Sequence, residues 1–515
     1  MSRNSFLARA ALIVMVGFLL AKVTAIGRQL IIASAFGATA SMDAYFAAFT
    51  APDLIFMLIS GGALSAAFIP VFSEYLNRNA DRDEAWRMAS NVLTVSFILS
   101  LIAATLAALF APAIIRTVVA PQFTAEQQQL TVALMRLILV STVIFSLSGL
   151  VTGVLHTLQH FLLPAFAPVV YNLGIIIGAL AVAPLMPEGQ RVYGLAIGSI
   201  IGALFHLSIQ LPALIKHRAR LRPIFDLGDE GLRQVVVLMA PRAAALALIY
   251  SKFIMRTNFA SRLPEGQLSA LDYAWDLMQL PETIFGTAIA LAVFPTMAEL
   301  WSQQNRAQLA KTFNNTLRSI LTLTVPAAVG MWLLSLPVVR AFYERGAFGY
   351  ESSLSTAYAL SFFAFGIVGH SLLEVVARLY YAQKDMLRPL YAAAAMLIVT
   401  IGLAWWLLGD YGIGGIALAD TVGVFVEVLI LLWWLRHRLP EAQDGSLLMA
   451  VAKVVVAAFV MGVALYGWLI LMDGRNLYLV AGGGILVGAA VYGVVALMLG
   501  IEEIKRAPRL LLRRG

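Results

Sequence analysis

Ionisable side chains set in apolar surroundings are the residues of this sequence best placed to do chemistry. In LLAKVTAIGRQLIIASAFG, residues 19–37, Lys22 and Arg28 interrupt an otherwise apolar run. A cation at the centre of a bilayer costs about 3 kcal/mol or more, so an intramembrane charge is read as functional by default. Four apolar stretches concentrate such charges: Lys22 and Arg28; Asp43 and Asp53; Arg242, Lys252 and Arg256; Asp272, Asp276 and Glu282. Lys252 and Arg256 are four residues apart and share a helix face. Lys22 and Arg28 diverge by about 120° on a regular helix, unless a bend at Gly27 brings them together. Arg242 lies about 80° round from Lys252 by the same period. It either lines the same surface or snorkels to headgroups. Asp420 and Glu427, seven residues apart, also share a face. They suit binding of a proton or cation, or a buried pair with Lys252 or Arg242. Asp43 suits a gate or a helix cap, and Asn172 needs a polar neighbour or water. Arg136, Glu374 and Arg378 read as a structural ion-pair group.

The composition says what holds these residues. The chain has 515 residues, 61% hydrophobic and 12% charged, with a mean hydropathy of +0.85. Soluble chains are about 25% charged, so a polytopic all-α membrane protein is expected. There is no cysteine, and the six histidines show no HxxxH or HxH spacing. Thiolate chemistry is thereby excluded, and no metal site is expected. No GxxxxGK[ST] loop occurs, so no nucleotide or other cofactor is expected. The first apolar run continues beyond a signal-peptide core and lacks a small-residue cleavage site, so a retained first span is expected.

Spans need roughly 20 apolar residues. Fourteen are expected, at 6–35, 41–73, 86–112, 127–156, 162–184, 191–215, 232–258, 267–298, 309–336, 352–380, 389–408, 412–435, 447–472 and 476–500. An even number puts both termini on one side. Basic residues choose that side. With cytoplasmic termini, the inner segments carry Arg78, Arg82 and Arg87, the run KHRARLR (216–222), and a basic tail from Lys505. The outer segments keep only Arg116, Arg191, Arg262, Arg340, Arg345 and Arg475. The net charge of +8 is therefore read as topology, and no nucleic-acid partner is expected.

An internal repeat is visible. IIRTVVAPQF (114–123) resembles VVRAFYERGAF (338–348), QHFLLP resembles QKDMLRP, and DAYFAAFTAP resembles DYAWDLMQLP, all at nearly one offset. The first six spans thus pair with the next six in parallel orientation. The expected division is 1–221, 222–440, and 441–515 for the last two spans and the basic tail.

Several stretches together resemble the MurJ/MviN lipid II flippase family, of the multidrug/oligosaccharidyl-lipid/polysaccharide exporter superfamily. They are GVLHTLQHFLLPAFAPVVYNLGIIIG (153–178), FYERGAF (342–348), RLYYAQKDMLRP (378–389), GIGGIALADTVGVFVEVLILLWWLRHRL (412–439) and FGATASMDAYFAAFTAPDLI (36–55). The resemblance spans essentially the whole chain. It implies two six-helix bundles around a central cavity, with two C-terminal helices forming a groove for lipid. It implies a peptidoglycan-precursor transporter of the bacterial cytoplasmic membrane that is not an enzyme. The substrate would be undecaprenyl-diphosphate-linked disaccharide-pentapeptide, moved from inner to outer leaflet by alternating access.

A diphosphate headgroup suits the cations: Arg supplies bidentate contacts and Lys a point charge. Lys22, Arg28, Asn172, Arg242, Lys252 and Arg256 are accordingly the expected substrate-binding residues. Asp43, Asp53, Asp272 and Asp276 are expected as gates or charge partners, and Asp420 and Glu427 as ion-coupling residues. The expected partners are the lipid-linked diphosphate glycan and membrane lipids, with the protein a monomer.

The chain departs from the family at several points. Lys22 stands where Arg is usual, Gln29 where an acidic residue is common, and Trp275–Asp276 where an Asp-Arg pair is usual. These leave open another polyprenyl-linked oligosaccharide or a cation-coupled exporter. A surface glycosyltransferase or phosphatase would need a cluster of catalytic acids. DRDE (81–84) and DLGDE (226–230) read more simply as solvated, helix-capping turns.

Overall fold

A computed structural model describes residues 3–59, 62–78, 82–442 and 445–505 of the chain. The basic tail from Arg506 onward lies outside the described residues. Helices make up nearly all of the described structure: α1 (Arg3–Phe36), α2 (Ala40–Ile59), α3 (Gly62–Arg78), α4 (Asp83–Leu109), α5 (Ala125–Thr157), α6 (Leu162–Ile177), α7 (Tyr193–Ser208), α8 (Glu230–Ala260), α9 (Gln267–Pro281), α10 (Ala288–Ser302), α11 (Arg306–Leu333), α12 (Ser335–Tyr343), α13 (Tyr350–Ala382), α14 (Leu387–Arg438), α15 (Gly445–Leu471) and α16 (Leu477–Met498).

Among the described residues, twelve helical stretches are long and apolar enough to cross a membrane, or thirteen if α8 is counted across its 40° bend. The bend falls between Ala240 and Arg242, at Pro241, which has no amide hydrogen for the helical ladder. The 52-residue α14 is interrupted at Gly412, whose φ of 52° is not helical. The candidate span 267–302 consists of α9 and α10 joined by a π-helical turn, Glu282–Thr287.

Local chemistry sets several helix starts. Thr124 and Gln127 form a reciprocal capping box before α5, which satisfies otherwise orphaned amides. Asp229 Oδ1 accepts from Leu232 N at 2.7 Å ahead of α8. Asn305 and Asn476 cap α11 and α16 in the same way.

Contacts divide the chain into two compact units. The first is Met1–Gly266 with Arg345–Ala347; the second is Gln267–Glu344 with Phe348–Gly515. Helix α8, which the repeat assigns to the second copy, packs within the first unit. The link ahead of it explains why. Asn91 Nδ2 donates to Asp226 O at 2.7 Å, and Asp226 N donates to Asn91 Oδ1 at 2.9 Å. Arg222 N donates to Ser90 Oγ at 3.0 Å, and Ile224 N to Thr94 Oγ1 at 3.2 Å. An extended segment is thus pinned along α4, and it delivers Leu232 and Val235 to the core of Phe68, Phe72 and Trp86. The second unit has its own core around Phe313, Leu379, Tyr380 and Leu431.

Within the first unit, α6 and α7 approach until their backbones touch. A Cβ on Gly174 would lie 2.3 Å from Gly202 Cα, and one on Gly178 would lie 2.5 Å from Gly198 Cα. Small residues at four-residue spacing permit such contact where lipid offers no hydrophobic drive. This packing holds α6, and with it Asn172, in place.

Candidate functional site

The first unit contains the cations of both α1 and α8. Helix α1 runs unbroken through Gly27, and a Cβ there would meet nothing within 4 Å. Arg28 is the anchored cation of α1. Its Nη1 donates to Asn172 Oδ1 at 3.0 Å, across 144 residues of sequence. Asn172 is itself buried, and its Nδ2 donates to Thr24 Oγ1 at 3.1 Å and Ala21 O at 3.2 Å. Asn172 therefore spends both ends of its amide on α1, and fixes the guanidinium as it does so. Its polar partner is now known: it is Arg28 together with a turn of α1. Lys22 is half-buried, with its ammonium 5.8 Å from the Phe18 ring centre.

On α8, Lys252 is buried and Arg256 half-buried. Both lie against one ring: Lys252 Nζ is 5.3 Å and Arg256 Cζ 5.2 Å from the Phe253 centre. Such a ring attracts a cation without neutralising it. Arg242 is exposed at the α8 bend. All six residues expected to bind substrate thus belong to one unit.

Asp53 on α2 is exposed, and the tyrosines Tyr45, Tyr171 and Tyr250, from α2, α6 and α8, lie within electrostatic reach of it. Tyr45 and Tyr171 lie within reach of Arg28 as well. A phenol is neutral near pH 7, so these tyrosines do not stand out among the charged residues of the spans. Asp43 is buried, and its Oδ2 accepts from Gly266 N at 2.6 Å. The carboxylate therefore holds the loop after α8. Gly266 has a φ of +84°, and a Cβ on it would lie 2.5 Å from Ala38 O. The FYERGAF turn is held to this unit in a related way: Ala347 N donates to Ser34 O at 2.7 Å.

The second unit holds acids. Asp272 and Asp276 on α9 are half-buried, and Asp276 acts on Tyr343. Glu282, at the π-helical turn, accepts from Thr287 Oγ1 at 3.0 Å and Thr283 Oγ1 at 3.3 Å. Glu374 pairs with Arg378 one turn along α13. Arg136 stands apart from that pair, donating to Ala108 O at 3.0 Å. Asp420 and Glu427 are both buried on α14. His370 on α13 meets Asp420, with Nε2 3.2 Å from Oδ2. Histidine spacing speaks only to metal ligation, so nothing in the sequence marks His370.

The acidic loop motifs are structural. Asp83 pairs with Arg220 at 2.5 Å, Asp226 with Arg87 at 3.4 Å, and Asp229 caps α8. Outside the spans, the Arg340 guanidinium grips Glu344 at 2.7 and 2.9 Å and holds its carboxyl below the ordinary range. Burial next to His217 and Lys216 makes His160 harder to protonate than usual.

Comparisons with known proteins agree with this architecture. The family model described as "Lipid II flippase MurJ" matches residues 32–480. A protein of Burkholderia cenocepacia named lipid II flippase MurJ is 30% identical over 458 residues, 88% of each chain. A solved structure described as lipid II flippase MurJ, inward closed conformation, superposes with a TM-score of 0.80 at 22% identity. The match covers 95% of this chain and 98% of that one. An inward-facing multidrug resistance MATE family transporter of the MOP superfamily superposes at 0.67 with 15% identity, over 83% and 96% of the two chains.

Proposed function

The chain belongs to the MurJ lipid II flippase family, a family of multi-pass membrane transporters and not of enzymes, and from that premise we propose that it carries lipid II from the inner to the outer leaflet of the bacterial cytoplasmic membrane. The mechanism is alternating access, with the diphosphate bound by a cationic cavity surface that α1 and α8 supply. The observation that carries this reading is the placement of Arg28, Lys252 and Arg256 in one unit, with Arg28 held by the neutral amide of Asn172. An amide orients a guanidinium but leaves its charge available to an anion.

In this reading α14 crosses twice, once on each side of Gly412, and the α2–α3 pair crosses once. The spans are then fourteen, in two parallel six-span repeats with α15 and α16 appended. Both termini are cytoplasmic, and the protein acts as a monomer. Helices α15 and α16 offer the polyprenyl tail an apolar groove while the headgroup takes the polar route. Asp43 and Asp53 in the first unit, and Asp272 and Asp276 in the second, act as gates or charge partners.

Energetics suit an anionic cargo. With the inside negative, each charge moved outward gains about 2.3 kcal/mol per 100 mV. Complementation tests the reading: a strain depleted of its own lipid II flippase should grow when this chain is expressed. Failure to grow, with normal membrane abundance, overturns lipid II as the cargo and favours another polyprenyl-linked glycan.

A further inference from the structure

His370 is the residue of the second unit that the transport reading leaves without a task. Its imidazole sits where three elements meet. From α14, Asp420 Oδ2 approaches Nε2 to 3.2 Å. From α9, the Trp275 ring stands perpendicular to the imidazole with centres 5.3 Å apart. From the π-helical turn, Glu282 lies within electrostatic reach of the imidazole and of Glu374. The next residue, Ser371, packs so closely on Gly286 of that turn that a Cβ there would lie 2.5 Å from Ser371 Oγ. Side-chain exposure is 16% for His370 and 6% for Asp420, so water reaches the ring but hardly the carboxylate.

The charged groups carried by the helices that pack on α13 are mostly acidic. Helix α13 itself contributes Glu374, paired with Arg378. Helix α9 carries Asp272 and Asp276, and α14 carries Glu427 two turns beyond Asp420. Helix α11 brings Arg318, α12 brings Arg340, which is paired with Glu344, and α10 brings Glu299, which accepts from Gln303.

We propose that His370 and Asp420 form a proton-binding site, and that its occupancy drives conformational exchange during transport. One proton lies between Nε2 and Oδ2. The second binds at Nδ1, converts a singly negative pair into a neutral one, and leaves by the same atom. A hard alkali cation is a poor fit, because it seeks several oxygen ligands and the imidazole offers nitrogen, whose natural ligand near neutral pH is a proton. The site ties α13 to α14 beside a π-helical turn, an irregularity frequent at functional sites. A change of charge there biases whichever arrangement separates these elements least. The inference rests on the transporter reading above.

Trp275 supplies a readout that is independent of transport. The full-length protein, in phosphatidylethanolamine–phosphatidylglycerol vesicles, is titrated from about pH 8 to about pH 5 while tryptophan fluorescence is followed. The Trp275 component is isolated as the difference between wild type and Trp275→Phe. It should quench on acidification, and the transition should be lost in His370→Gln. An unchanged transition in His370→Gln overturns the site, as does a transition that follows added sodium instead of pH.

Flipping of a fluorescent lipid-linked diphosphate is then measured under an imposed pH gradient at clamped potential. The wild-type rate should change severalfold with the gradient. That dependence should vanish in both His370→Gln and Asp420→Asn at unchanged thermal stability, while dependence on potential remains. Gradient-independent flipping by the wild type overturns the inference and leaves the transporter reading intact. Absence of flipping under every condition overturns that reading, and the fluorescence titration still decides the proton site.

Discussion

The two units differ in the sign of the charge they place in the membrane. In the first, Lys22, Arg28, Lys252 and Arg256 outnumber Asp43 and Asp53, and Arg28 is oriented by an amide. In the second, Asp272, Asp276, Glu282, Glu374, Asp420 and Glu427 dominate; Arg378 is matched to a carboxylate one turn away, and His370 to one on another helix. Segregation of this kind has a physical reason. A carboxylate beside each cation would compete with an anionic headgroup, whereas carboxylates gathered elsewhere favour cations and protons. On the proposals above, the contrast assigns the two units different ligands: an anionic headgroup to the first and a proton to the second.

The strongest test of that contrast is Arg28→Ala. Loss of a fixed cation from a low-dielectric site should lower flipping at least tenfold, which corresponds to about 1.4 kcal/mol, and should abolish complementation. Arg28→Lys should restore part of it, because the point charge survives and the bidentate geometry does not. Arg378→Ala, whose charge is already matched inside its own helix, should spare flipping by comparison. Equal losses in both would erase the distinction between the units.

The scaffold beneath the first unit comes next. Gly202→Val forces a side chain into Tyr171, where a Cβ would already lie 2.5 Å from its carbonyl oxygen. Overpacking of this kind should destabilise by about 3 kcal/mol, visible as a lower unfolding temperature and reduced membrane abundance. Asn172→Ala should cost about 2 kcal/mol, since it strands buried partners on α1. Flipping should fall with it, and a guanidinium without its orienting amide should show as a higher KM for the lipid-linked diphosphate.

The smallest effect belongs to the Arg340–Glu344 pair. Glu344→Gln should cost less than about 1 kcal/mol, as for other partly exposed pairs. The folded carboxyl is held below its ordinary range by Arg340, so the pair's contribution is present above that range. It should be lost as pH falls through the depressed folded value, and the wild-type and Glu344→Gln unfolding temperatures should converge in acid. A persistent difference there would show that the pair is not ionic.

Much of the fold was legible in the order of residues. The stretch 127–156 emerges as α5, Ala125–Thr157, and 352–380 as α13, Tyr350–Ala382, because bilayer thickness demands about 20 apolar residues wherever a helix crosses. The i,i+4 logic that put Lys252 and Arg256 on one face also holds, with Phe253 between them. The packing of α8 in the first unit was not legible. It depends on Ser90, Asn91 and Thr94 hydrogen-bonding backbone at least 130 residues away, and side chains of that type carry no periodic signal.

The sequence by itself determined which stretches are apolar enough to enter a membrane, and which ionisable residues they must carry with them. Those follow from composition and from one helix's period. Only the tertiary structure decided whom each charge meets: Arg28 with Asn172, Asp43 with the amide of Gly266, and His370 with Asp420. A helical period says which side chains share a face, but not which neighbouring helix covers that face. In a low-dielectric interior the identity of that neighbour separates a bound anion from a bound proton.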